Sequence, residues 1–349
     1  MAKQQLKSLI HKAPSVIRAK ETLSKENSVS LRGVTGSLKS LLLIDFLESF
    51  STRVVYLGCD TEETEQIKED LELFIGEERV AYFPVHEIRY HGWFTSHTTS
   101  KSSRVSTLER LLEREAQVLV TEASAFTINL PSPSDYLKSK LLLRVGDHVE
   151  FEKIIDRLFE FGYRREEFVE QPGEMSVRGG IVDVFPHSCN YPIRIEFWGD
   201  TIESLREFDP YTQRSTRSIE KITLYPQEIN KNEERPGGFN LLDYIGQDCL
   251  IVVDEPPLIK KNFLSKLLFY EDDLNGQYED RWRLFEQKLN NFPKINFISF
   301  HDQEIKDKVF DLHCKNQDTF RGNLKLFRNF IKEVNHKKLG NHQEPPYIY

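Results

Sequence analysis

Sulfur is scarce in this chain, with two methionines and four cysteines in 349 residues. Cys59, Cys189, Cys249 and Cys314 form no C-x-x-C pair. His187-x-Cys189 and His313-Cys314 lack the paired spacing of a tetrahedral zinc site, so free thiols and no metal are expected. No apolar run approaches the ~20 residues that span a bilayer. The longest, around Leu41–Phe46, is broken by Asp45. The first residues carry Lys3, Lys7, Lys12, Arg18 and Lys20 around no apolar core, which argues against a secretory signal and predicts a cytoplasmic protein with no membrane contact. Positive charge is not in excess either. Lys plus Arg is 47 against 55 Asp plus Glu, a net charge of -8, unlike a dedicated nucleic-acid binder. What is present is ample core material: 39% of residues are hydrophobic, and the length suits two or three domains.

Along the chain, residues 1–26 read as one or two helices of mixed charge. Strand patterns at 29–32, 53–59, 80–84 and 117–122 then alternate with helical patterns at 40–50, 61–74 and 101–114. Such alternation predicts a parallel α/β sheet. The proline-containing stretch Asn129–Asp135 is the best linker signal. Beyond it come a short strand at 141–145, an amphipathic helix at 151–161, a strand pair over 168–186 and the alternating strand Ile193–Trp198, a small α+β domain. The third stretch opens at Lys221 and holds the buried strand Cys249–Asp254, helical patterns through Tyr270–Phe285, a strand at 297–300, a final helix after Thr319 and an exposed tail, Pro345–Tyr349. The expected domains are 1–130, 131–217 and 218–349.

Gly33-Val-Thr-Gly-Ser-Leu-Lys-Ser40 lies between a strand and a helix, where a phosphate-binding loop would sit. Gly33, Lys39 and Ser40 fit that pattern, but Leu38 stands where a second glycine lets the backbone curl round the phosphates. In an intact site Asp254 would hold magnesium and Glu255 would polarise water; here Pro256 and Pro257 follow at once. The expectation is a decayed nucleotide site with no catalysis and no cofactor, in which Lys39 is a solvated lysine at a helix start.

The run Met175–Pro186, followed by Pro192–Asp209 and Thr212–Ser215, resembles a signature shared by the excision-repair subunit UvrB and the bacterial transcription-repair coupling factors. Gly33–Ser37 and Val252–Glu255 resemble remnants of UvrB's ATPase motifs. Tyr82–Glu87 with Ser103–Leu108 resembles the first domain of the coupling factors. The likeness covers about residues 25 to 335. It implies a degenerate P-loop, RecA-like lobe made of domains 1a and 1b, with a small inserted α+β domain. Leu38 departs from UvrB. So does the segment 85–104, which reads as too short and irregular for UvrB's DNA-clamping hairpin, leaving Tyr90, Trp93 and Phe94 to pack a loop.

Both departures favour the amino-terminal module of a coupling factor, read as a fragment ending near Asn341. In this family the middle domain docks onto UvrA. The resemblance places matching contact arginines at Arg165 and Arg178, with Arg164 weaker, and puts Ser176 where UvrB has a further arginine. RNA polymerase and DNA would be engaged only through downstream domains, which this region would also contact intramolecularly. The parent would be an ATP-dependent DNA translocase. Against this stands the plain alternative that the arginines pair with Glu166, Glu167 or Glu174 on their own surface, and the rival function of a UvrB-type, ATP-dependent binder of damaged DNA.

Overall fold

Every residue of Val54–Leu57 is apolar, yet the run alternates between two cores. In the computed structural model Val54 and Tyr56 face one hydrophobic cluster, Val55 and Leu57 the other. The same split recurs where Leu250 and Val252 oppose Ile251 and Val253. A strand covered on both faces has no wet side, which is why these read as unbroken apolar runs. Seven strands form one parallel sheet in the order Lys308–Asp311, Ser28–Arg32, Lys294–Ile298, Cys249–Asp254, Arg53–Gly58, Val118–Glu122, Val80–Phe83. The structure describes residues 2–85, 88–90, 93–95, 98–226, 239–270, 277–299 and 307–314. The final helix expected after Thr319, the boundary near Asn341 and the tail Pro345–Tyr349 lie outside them.

The helix Leu38–Phe50 is buried from Lys39 to Leu47. The helices Ala2–His11 and Pro14–Leu23 close its outer side through Ile10, Val16, Ala19 and Leu23. Asp45, the break in the longest apolar run, is buried there and must be paired. It takes Lys20 Nζ at 2.8 Å and His11 Nδ1 at 2.7 Å.

A second sheet has the order Ser215–Ile219, Thr201–Phe208, Ile193–Trp198, Ile181–Val184, Glu174–Arg178, Arg164–Arg165, antiparallel except for the last pair. One face packs on the helix Phe151–Glu160 through Ile154, Ile155 and Leu158. The chain enters this unit on Leu141–Arg144 and leaves it on Lys221–Leu224, and those two strands pair with each other, Leu141 opposite Leu224. Leu143 and Leu224 join the core of the second sheet, so the strand at Lys221, which the sequence places in the third stretch, is built into the second. The units also meet directly: the helix Thr98–Leu112 buries Glu109 against Ser188, in the loop after Ile181–Val184.

Two local expectations change. The 129–135 linker begins a helix, Pro133–Ser139, because Ser132 accepts the Asp135 amide at 3.1 Å and Pro133 takes the first helical turn. The 85–104 segment does contain a hairpin, a small one: Ile88–Tyr90 pairs antiparallel with Trp93–Thr95. Aromatic and β-branched residues favour pairing even over three positions, so Tyr90, Trp93 and Phe94 belong to strands rather than to a loop. Among the described residues no helix is long and apolar enough to cross a membrane.

Candidate functional site

Ligands of parallel sheets gather at the carboxyl ends of the strands, and there the loop from Gly33 to Ser40 lies, after Ser28–Arg32. Gly33 has φ +79°, and a Cβ on it would stand 3.5 Å from the Cys314 backbone, so the segment after Lys308–Asp311 crosses close above the loop. Leu38 is the first residue of the Leu38–Phe50 helix. Ser40 is buried, and its hydroxyl donates to Asp70 Oδ2 at 3.1 Å. Glu255 also has a positive φ, 50°, accepts from the Ser299 hydroxyl, and its amide donates to Phe297 O at 2.9 Å.

Lys39 is not solvated. It is buried, with Nζ 2.8 Å from Asp254 Oδ2 and 2.5 Å from Glu63 Oε1. It lies in the first turn of its helix, which meets the end of Cys249–Asp254 through the Lys39–Asp254 pair. Tyr56 Oη donates to the same Asp254 oxygen at 2.8 Å, while Asp254 Oδ1 is buried without a partner among the described residues. Burial pushes the Asp254 carboxyl up to about 6 despite the lysine. For Lys39, burial pulls downward but Asp254 and Glu63 outweigh it, and its affinity for the proton rises. Cys59, Glu63 and Asp254 bring three ligand atoms within 4.8 Å of one another. The Lys39 ammonium already supplies positive charge to two of the three, so the set does not suit a metal ion.

The second group of predicted residues sits on one edge of the other sheet. The strand Arg164–Arg165 runs parallel to Glu174–Arg178, and both of its arginines are exposed. Arg164 lies 3.6 Å from Glu174 Oε1, a loose pair; Arg165 has no ion pair with any described residue. Arg178 does not pair with the neighbouring glutamates. Its Nη2 donates to Asp183 Oδ2 at 2.7 Å, and its guanidinium lies 5.1 Å from the Phe168 ring centroid. Asp183 is fully buried and also takes Nε and Nη2 of Arg194 at 2.8 and 2.9 Å. The Arg178 side chain stays 42% exposed; that of Arg194 is only 16% exposed.

Ser176 is not at the surface. It is 2% exposed, because its hydroxyl turns into the sheet and donates to Glu167 O at 2.9 Å, fastening the segment that carries Phe168. Sequence reasoning missed Asp183 and Phe168. The available signal was an aspartate inside the apolar run Ile181–Val184, paired in register with Arg194 on one side and Ser176 on the other.

The Arg178–Ile181 connection is a two-residue turn, with Gly179 at φ +60° as such turns require. Gly180 is needed for another reason: a Cβ there would meet Phe197 O at 2.9 Å. Gly180→Ala is expected to destabilise the fold by about 1–3 kcal/mol, seen as a lower urea midpoint. An unchanged midpoint would mean that the turn yields.

Comparison with known proteins agrees with this geometry. A family model described as the UvrB interaction domain matches residues 141–229. The transcription-repair-coupling factor of Bacillus subtilis (strain 168) is 27% identical over 215 residues, covering 61% of this chain and 18% of that protein. That of Staphylococcus aureus (strain bovine RF122 / ET3-1) is 29% identical over 372 residues, covering 87% and 32%. The chain thus spans no more than about a third of the length of these relatives. With a UvrB interaction domain matched in its middle and similarity over most of its length, the chain is similar to the UvrB-homologous amino-terminal region of the transcription-repair-coupling factors.

Proposed function

We propose that this chain is the UvrA-recruiting module of transcription-coupled nucleotide excision repair. It docks UvrA through its middle domain and performs no catalysis of its own. RNA polymerase and DNA are then engaged by other parts of the longer protein, an ATP-driven translocase, which this region also touches intramolecularly. The observation that carries the reading is Arg178, half-exposed yet fixed by a buried carboxylate and an aromatic ring; Arg165, on the neighbouring edge strand, has no ion pair with any described residue. Arginines so placed act as interface anchors, whose truncation costs about 2 kcal/mol or more; ordinary surface pairs contribute little.

Calorimetric titration against purified UvrA tests it. The wild type is expected to bind saturably, and Arg178→Ala and Arg165→Ala each to bind about thirtyfold more weakly. Binding that survives both substitutions moves the site elsewhere; a wild type that does not bind removes the function. The antiparallel pairing of Ile88–Tyr90 with Trp93–Thr95 favours the rival reading of a UvrB-type, ATP-dependent binder of damaged DNA. That reading, however, requires Lys39 to leave two carboxylates for a phosphate.

A further inference from the structure

Arg178 and Arg194 share a single buried carboxylate. Asp183 Oδ2 accepts from Nη2 of both, and Oδ1 takes Arg194 Nε, so Arg194 grips the carboxylate in a fork while Arg178 touches it by one corner. Arg194 is braced in turn, its guanidinium 4.6 Å from the Phe208 ring centroid. Of the five N–H donors of a guanidinium, Arg178 commits one to a described side chain, and its face is set by the Phe168 ring. The Ser176 hydroxyl holds the segment bearing that ring.

Resting on the UvrA-docking reading, we infer that Asp183 is a positioning residue for recognition. Together with Arg194 and Phe168 it holds Arg178 as a pre-oriented fork for a side-chain carboxylate of the partner. A free arginine on a strand edge loses rotamer freedom on binding; one already clamped does not, so more of its interaction appears as affinity. The planar fork also suits a carboxylate in two-point contact, which a lysine cannot reproduce. Asp183 is fully buried and itself touches no partner, so its influence has to pass through Arg178.

A double-mutant cycle on the whole chain, read as UvrA affinity by calorimetry, tests this. Asp183→Asn is expected to weaken binding about tenfold when Arg178 is present and less than about twofold in the Arg178→Ala background. A purely structural aspartate would cost the same in both. Arg178→Lys is expected to bind nearly as weakly as Arg178→Ala. Arg194→Lys, which loosens the fork on Asp183 while keeping the charge, repeats the test should Asp183→Asn fold poorly. Equal losses in the two backgrounds, or full rescue by lysine at 178, overturn the inference and leave UvrA docking intact. Absence of wild-type binding overturns the docking reading itself.

Discussion

Lys39→Met is expected to cost about 3–5 kcal/mol of folding stability, the range for removing one partner of a buried ion pair. The methionine keeps the length of the stem but strips from Asp254 the only cation it pairs with among the described residues, and Asp254 is fully buried with one oxygen already unpartnered among them. Glu63, about one-third exposed, can turn to water; Asp254 cannot. The loss depends on pH in a definite sense. Asp254 binds its proton more tightly folded, at about 6, than its ordinary 3.8, so it weakens the fold as pH rises through that window. Without the lysine the window extends upward. The gap between variant and wild type is therefore widest near neutrality and narrowest below about pH 4. Adding Asp254→Leu to the variant is expected to restore most of the stability, since an apolar replacement of a buried pair is often neutral. Urea unfolding of the three proteins decides it, and wild-type stability of Lys39→Met near neutral pH would sink the argument.

Glu109→Gln is expected to do the opposite and strengthen the protein at alkaline pH. Burial pushes the Glu109 carboxyl up from 4.5 to about 8. The Ser188 hydroxyl favours the carboxylate, and Glu113 and Glu115 disfavour it. Tyr136, Tyr163, Tyr225 and Cys189 line the same junction and feel its charge, and Oε1 has no partner among the described residues. The folded state holds this proton more tightly than the unfolded chain does. Its contribution is thus complete below 4.5 and is lost as pH rises through 8. The loss is on the order of 5 kcal/mol at full ionisation. Glutamine keeps the shape and cannot ionise. His187 works in the reverse direction, burial lowering it from 6.5 to about 4, so its contribution is lost as pH falls through that interval. It is common to both proteins and cancels in the comparison. Urea midpoints near pH 5 and about pH 8.5 should diverge between wild type and variant; parallel profiles would show that the carboxyl reaches water.

The parallel sheet was legible in the sequence because apolar runs between helical patterns admit few other arrangements, and the alternation of Ile193–Trp198 marked the core face of the second sheet, Ile193, Ile195 and Phe197. The chemistry of single side chains was not. Lys39 reads as a surface residue because its two carboxylate partners come from distant strands and helices, at positions 63 and 254. Ser176 reads as a contact only by alignment; its burial follows from pairing opposite Asp183, a register that no local pattern encodes. The strand at Lys221 was visible, but its partner, some eighty residues earlier in the chain, was not. Long-range pairing of this kind depends on topology rather than on propensity.

The paired crossings give the inserted unit a thermodynamic role beyond presenting a surface. Its entry and exit are joined three times: by Leu130 with Phe239, by Tyr136 stacked on Tyr225 at 5.4 Å, and by Leu141 with Leu224. When the insert is folded, the parallel sheet sees its two halves linked by a short span. When the insert is unfolded, the same halves are separated by a slack loop of roughly 80 residues, whose closure costs about 4 kcal/mol. Folding of the middle unit therefore acts as an intramolecular cross-link on the α/β sheet. Damage to the Ile154–Leu158 core would be felt as lost cooperativity in strands that it never touches.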